Sequence, residues 1–422
     1  MAGSRRTPWV WIVFFAAIGA MLITAATFVT VRLTAQPPGA IVSIHAPASL
    51  LVDGTAAPPI PVPVKGSFAL ATSLSGMVAS RDATAVRPIG SVAKAMTALV
   101  VLTAHPLGLT AQGPSITMTG EDVLLYREAV AAGGSNLPVR AGEVLTERDL
   151  LLALLLPSAD NIAESLALWV SGNRAAFIAR LNATAMAMGM DHTHFADPSG
   201  IGVATESTAQ DLVQLARAVT ANASLTALVG TRQATLPGGT VLRNLDILLA
   251  KQTGWLGIKT GWTGAAGGCL LFAARKLYPP GHAVTVWGAV LGQPRLTAGD
   301  PAHPELGEAF ASAQSATNTA FSGYAAVDLA ALTPDVSGSI TTRWGPGSSV
   351  VLAERPSDVM LVRAGAVLRL RVTIGSPRAP ILSGAMVGEI TGMLDADSAV
   401  TWKVVSTTDI AAPSPLWKLF SG

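Results

Sequence analysis

An α/β domain followed by a small all-β domain, behind a membrane-spanning helix, is the architecture this 422-residue sequence predicts. Three observations carry it. An uncharged run of 23 residues, Trp9 to Val31, lies near the N-terminus. Between Gly66 and about Ala325 short apolar strand-like runs mix with helix-length apolar segments. From Ile340 onward the pattern becomes strands bounded by Gly, Pro and Ser. Composition agrees, because half the residues are apolar, 13% are charged and the mean hydropathy is +0.48, which excludes a disordered chain. With 28 basic against 26 acidic side chains the net charge is +2, and no basic footprint for nucleic acid stands out. A single cysteine, Cys269, rules out an internal disulfide, and no Cys/His cluster has zinc-ligand spacing.

The elements follow in order. As a helix, Trp9 to Val31 is roughly 34 Å long, enough to cross a bilayer. Arg5 and Arg6 precede it and only Arg32 follows closely, so residues 1–36 are expected to be a cytoplasmic tail and anchor, with the rest outside the cell membrane. A cleaved signal peptide would have a shorter apolar region, about 7 to 15 residues. Residues 37–65 carry seven prolines and suit a stiff spacer. In residues 66–325 strands are expected at Phe68–Thr72, Cys269–Ala274 and Val284–Leu291, and helices at Val92–Ala104, Ala159–Val170 and Thr208–Ala221. Residues 335–412 should form a β-sandwich-like domain, with strands at 340–344, 349–354, 359–362, 367–374, 386–393 and 399–406.

Three places in the middle domain carry chemistry. Ser91 and Lys94 stand one helical turn apart at the entry of a segment that is apolar on every other side. A buried lysine loses its proton more readily and can serve as general base to an adjacent serine. A capping serine with a snorkelling lysine is the alternative on these residues alone. Lys259-Thr260-Gly261 precedes two strand-like runs. There a lysine and a threonine hydroxyl could hold a carboxylate, and Gly261 removes the side chain that would keep a substrate backbone away. Ser158-Ala159-Asp160-Asn161 follows Pro157 and opens an apolar helix, so Ser158 also suits an N-cap.

In this order the segments resemble the serine D-Ala-D-Ala carboxypeptidases among the low-molecular-weight penicillin-binding proteins. Residues 88–100, Pro-Ile-Gly-Ser-Val-Ala-Lys-Ala-Met-Thr-Ala-Leu-Val, are similar to the nucleophile block of that family, and 257–267 to its Gly-Ile-Lys-Thr-Gly block. Residues 142–166 resemble the segment bearing the middle motif, and 194–212 the loop and helix that follow it. The resemblance implies the β-lactamase/DD-peptidase-like fold, an antiparallel sheet flanked by helices, and often a trailing β domain. It implies that Ser91 attacks the penultimate D-Ala carbonyl, that Lys94 takes its proton and that Ser158 relays one to the leaving amine. It further implies that Lys259 and Thr260 hold the terminal carboxylate, and that the backbone NH groups of Ser91 and Trp262 form the oxyanion hole. The substrate implied is a peptidoglycan stem peptide ending in D-Ala-D-Ala, β-lactams would block Ser91, and no metal or other cofactor is required.

One position departs from the pattern. The family's middle motif is Ser-x-Asn, whereas here Asp160 occupies the Asn position and Asn161 follows. An ionised Asp offers acceptors only and could pair with Lys94, keeping the base charged. A shift of the helix start that turns Asn161 inward is the alternative, at about 100° of rotation. A catalytically impaired peptidoglycan- or penicillin-binding scaffold is therefore the alternative function. A serine β-lactamase would need Glu-x-x-x-Asn, and neither Glu164 nor Glu206 has Asn four residues on. His192 and His194 lack a third ligand, Cys269 reads as a small buried residue, and residues 415–420 suit packing against the domain.

Overall fold

The structure, a computed structural model, describes residues 9–52, 57–295, 304–353, 359–395 and 398–421. Arg5, Arg6 and Glu354, to which the tail and one expected strand extend, lie outside the described residues. The chain divides into two units, 57–325 and 1–56 with 326–422.

The first unit is built on five strands, β1 (Ser67–Thr72), β2 (Gly76–Arg81), β3 (Trp255–Thr263), β4 (Gly267–Tyr278) and β5 (His282–Gln293), in the order β3-β4-β5-β1-β2. Every neighbouring pair is antiparallel. Side chains alternate between faces along β4 and β5, and helices cover both. Trp287, opposite Ala273, donates its indole N–H to Thr220 of the helix Ala209–Ala221 at 2.7 Å. Tyr278 lies on the other face of β4 and donates its hydroxyl to the Phe321 carbonyl of the helix Gly307–Ser322 at 2.6 Å. All six residues of β1 are buried, as a central strand between two covered faces requires.

The helix Ala93–Ala104 runs through the middle of the helical lobe. It contacts Glu147–Leu155, Asp160–Ser171, Arg174–Ala187 and Ala209–Ala221, which accounts for its lack of a polar face. Two lobe helices start on reciprocal caps, Thr119 with Asp122 and Thr146 with Asp149, each serving two otherwise unpaired backbone N–H groups.

The second unit contains one seven-stranded antiparallel sheet, in the order 41–45, 337–341, 348–352, 398–406, 386–395, 367–374, 49–51. Its core holds Ile340, Leu368, Ile390, Trp402 and Val404. Here the spacer expected over 37–65 is corrected. Ile41–His45 and Ser49–Leu51 form the two edge strands, pairing with Ser337–Thr341 and Val367–Arg369. The apolar alternation of Ile41, Val42 and Ile44 supplies strand content that the surrounding prolines hid. Only three residues separate these edge strands, a reach of at most about 14 Å, so the sheet curls until its edges approach each other. It is a single curled sheet rather than two sheets packed as a sandwich. The helix Trp9–Thr34 extends from this unit with no side chain buried.

Candidate active site

Ser91 sits in the 3-10 turn Gly90–Val92 that leads into the central helix. The turn has no side-chain cap, so Ser91 does not serve as one. Gly90 holds φ +52°, a conformation glycine adopts without strain, and a Cβ there would stand 3.2 Å from the Trp262 nitrogen. Lys94 is fully buried and does not snorkel. Its Nζ lies 2.7 Å from Ser91 Oγ, 2.5 Å from Asp160 Oδ1 and 2.9 Å from the Ser199 carbonyl oxygen, which uses all three donors of an ammonium. Burial pushes the Lys94 pKa down from its ordinary value, and the neighbouring Asp160 carboxylate opposes that shift.

Ser158 lies just before the helix Asp160–Ser171, in left-handed backbone with φ +69°. The N-cap is Ala159, which makes no side-chain cap bond, so the capping role expected of Ser158 is absent. The Ser158 hydroxyl is buried and meets no hydrogen-bond partner in the fold. A residue held in a costly conformation with a free hydroxyl is available for chemistry. Asp160 pairs with Lys94, whereas Asn161 is pinned elsewhere. Its amide donates to the Leu137 carbonyl and accepts from the Leu137 N–H, both at 2.9 Å. The helix start is not shifted, and the Asn161 side chain is committed to holding the segment around Leu137 rather than to a substrate.

The third group lies on β3, the edge strand next to the nucleophile turn. A Cβ on Gly261 would stand 2.9 Å from the Ile89 oxygen and the Val92 nitrogen and 3.1 Å from the Ser91 nitrogen. Only a residue without a side chain lets the strand approach this closely, and the approach places the backbone of Trp262 beside that of Ser91. The Trp262 side chain is exposed. Lys259 and Thr260 are buried, and Lys259 Nζ donates to the Thr260 carbonyl at 3.0 Å. Burial drives the Lys259 pKa well down, Lys94 lowers it further, and Asp160 and Asp246 counter the shift. Asp246 is fixed beneath the strand by the Trp255 indole N–H at 2.8 Å and the Leu248 N–H at 3.0 Å.

One contributor was not assigned a role from the sequence. The Asp197 carboxylate accepts from the Ser199 N–H and hydroxyl, the Gly200 and Gly202 N–H groups and the Thr205 hydroxyl. Burial would raise its pKa, but these bonds hold it below the ordinary value. The loop so fixed presents the Ser199 carbonyl to Lys94 and the Pro198 carbonyl to Thr97 at 2.6 Å. The string Asp197-Pro198-Ser199-Gly200, a turn signal beside an acid, was the available clue. Cys269, opposite Gly261 on β4, is buried and its thiol is pushed up to about 12, which leaves it protonated and inert. His192 and His194 serve through their backbones, the first donating to Asp211 and the second bridging to Glu206.

The arrangement thus sets a serine against a desolvated amine, with a second buried lysine on the strand whose backbone closes on the serine turn, a constellation suited to acyl transfer. The family model for peptidase S11, D-alanyl-D-alanine carboxypeptidase, matches residues 66–286. A D-alanyl-D-alanine endopeptidase of Escherichia coli is 36% identical over 193 residues, covering 44% of this chain and 59% of that protein. A D-alanyl-D-alanine carboxypeptidase of Streptomyces is 31% identical over 249 residues, 55% of this chain and 82% of that protein. The crystal structure of a Streptomyces DD-transpeptidase superposes with a TM-score of 0.51 at 27% identity, covering 64% of this chain and all of that one. The chain spans about three-fifths of the length of the endopeptidases it matches in Escherichia coli and Pseudomonas aeruginosa. The family model's span takes in Ser91, Asp160 and Lys259 alike, and by the extent of that match and of the Streptomyces one the chain belongs to the peptidase S11 family of D-alanyl-D-alanine carboxypeptidases.

Proposed function

We propose that the chain is a membrane-anchored, extracytoplasmic serine D-Ala-D-Ala carboxypeptidase that trims peptidoglycan stem peptides and is blocked by β-lactams. The observation that carries this reading is the 2.7 Å separation between Nζ of the fully buried Lys94 and Oγ of the half-buried Ser91. Ser91 Oγ attacks the carbonyl carbon of the penultimate D-Ala while its proton passes to Lys94 Nζ. The carbonyl oxygen becomes an oxyanion facing the Ser91 and Trp262 N–H groups. Collapse expels the terminal D-Ala amine, which takes a proton relayed through Ser158, and water then hydrolyses the ester.

Burial supplies the base, because desolvation favours the neutral Lys94 amine that can accept a proton. Lys94 lowers the Lys259 pKa further, while Asp160 counters the shift at both lysines and Asp246 counters it at Lys259. The terminal carboxylate of a D-Ala-D-Ala end would seat on Lys259 and Thr260. Family members with Asn at the middle-motif position lack the Asp160 countercharge. The Lys94–Asp160 pair also favours a second reading, in which acylation survives but turnover is impaired.

The helix Trp9–Thr34, about 39 Å long and uncharged until Arg32, suits a bilayer anchor. The test of the activity is release of D-Ala from a pentapeptide ending in D-Ala-D-Ala. The native chain should release it and Ser91→Ala should not. Penicillin labelling without release would support the impaired reading, and neither labelling nor release would overturn both.

A further inference from the structure

The second unit builds a cavity of about 230 Å³ at the end of the long apolar helix, lined by Arg32, Pro37, Pro38, Arg343, Trp417 and Lys418 among others. Three cations from distant parts of the sequence converge there, and the lining contains no Asp or Glu. Among the described residues none of the three makes an ion pair. Arg32 donates to the Ser421 carbonyl at 2.6 Å and Lys418 to the Leu33 carbonyl at 2.9 Å. These bonds clamp the short helix Pro415–Phe420 to the end of the long one, and neither cation meets a carboxylate among the described residues. Arg343 is exposed and has no side-chain hydrogen bond among the described residues. Gathering like charges costs energy unless an anion joins them.

The surroundings indicate where that anion comes from. Leu416 and Phe420 are exposed, and Arg32 lies over the exposed Phe28 ring at 5.4 Å. Trp344 meets the Trp417 ring edge-on at 5.5 Å and donates to the Ala411 carbonyl at 2.9 Å. Tryptophans and cations beside the end of an apolar span belong at headgroup depth, where an arginine fork and a lysine can share phosphate oxygens. We propose that Arg32, Arg343 and Lys418 form a binding site for the phosphate of an anionic phospholipid headgroup. This rests on the reading of Trp9–Thr34 as a membrane span.

The test uses the full chain in detergent, with bound phosphatidylglycerol and phosphatidylcholine titrated by native mass spectrometry. Arg343→Gln and Lys418→Gln should each weaken phosphatidylglycerol binding on the order of five-fold, and the pair more than ten-fold. Arg369→Gln, an exposed arginine on a strand of the same unit, should leave binding unchanged. Phosphatidylcholine should bind more weakly, and millimolar inorganic phosphate should not displace phosphatidylglycerol. Unchanged affinity in Arg343→Gln overturns the proposal even if Lys418→Gln fails to fold, and displacement by inorganic phosphate overturns the lipid assignment. Alkaline extraction of native membranes separates the two layers of inference. Release of the chain would sink the span itself, whereas retention with unchanged lipid affinity in the variants would sink only the headgroup site.

Discussion

Replacing Gly261 with alanine tests the part of the site that depends on backbone approach. The glycine needs no unusual φ, so alanine is conformationally acceptable and the cost is steric. The added Cβ would meet three backbone atoms of the Ser91 turn at 2.9–3.1 Å, where ordinary contact begins at 3.4 Å, so strand and turn must separate by up to about 0.5 Å. Overpacking of this kind costs about 1–3 kcal/mol of stability. The same displacement moves the Trp262 N–H away from the developing oxyanion, and loss of one such donor slows acyl transfer about 10²- to 10³-fold. Because the shift is partial, the expected loss in the acylation rate is on the order of 10- to 100-fold. Stopped-flow acylation by a chromogenic cephalosporin, alongside thermal unfolding, separates the two effects. A folded Gly261→Ala protein acylated at the native rate would refute the proposed geometry of the oxyanion hole.

Asp160→Asn removes the carboxylate that holds the Lys94 pKa up, so burial should lower it further and the acid limb of the acylation profile should move to lower pH. An unmoved limb would mean that Asp160 does not govern the base. Ser158→Gly should relieve backbone strain and remove an unpaired buried hydroxyl, raising stability by about 1 kcal/mol while D-Ala release falls at least about ten-fold. Lower stability with full release would contradict that assignment. Burial raises the carboxyl groups of Glu147 and Glu164 to about 7 and of Asp246 to about 6. For groups with raised pKa, the contribution is fully present below their ordinary values and is lost as pH rises through 6 to 7. The melting temperature should therefore fall between pH 5 and 8. Glu164→Gln should flatten the curve, with a ceiling of about 3 kcal/mol for this residue. An unchanged slope would show that Glu164 ionises normally. Asp197, whose pKa is lowered, acts oppositely and loses its contribution only as pH falls below its ordinary value.

What could be read in advance depended on whether the signal was local. The central helix was visible because burial on every side leaves no polar face, and the observed Ala93–Ala104 differs from the expected segment only by its 3-10 entry. The strands of the β domain were legible from alternation and turn residues, with observed ends within a few residues of those expected. The edge strands at 41–51 were not, because edge positions tolerate prolines nearby and their partners lie some 300 residues away. In the site, Ser91, Lys94 and Lys259 were marked by polar residues in apolar segments. The fate of Asn161 was hidden, since only the folded chain brings Leu137 beside it. Asp197 was equally hidden, as its role is to shape a loop whose carbonyl reaches Lys94 from 105 positions away.

Peptide mapping by mass spectrometry after exposure to benzylpenicillin most directly tests the claim that Lys94 activates Ser91. One penicilloyl group should be found on the peptide containing Ser91, formed readily by the native chain and at least 100-fold more slowly by a folded Lys94→Ala variant. A native chain that gains no adduct, an adduct on any other residue, or equal rates in the two proteins would contradict it.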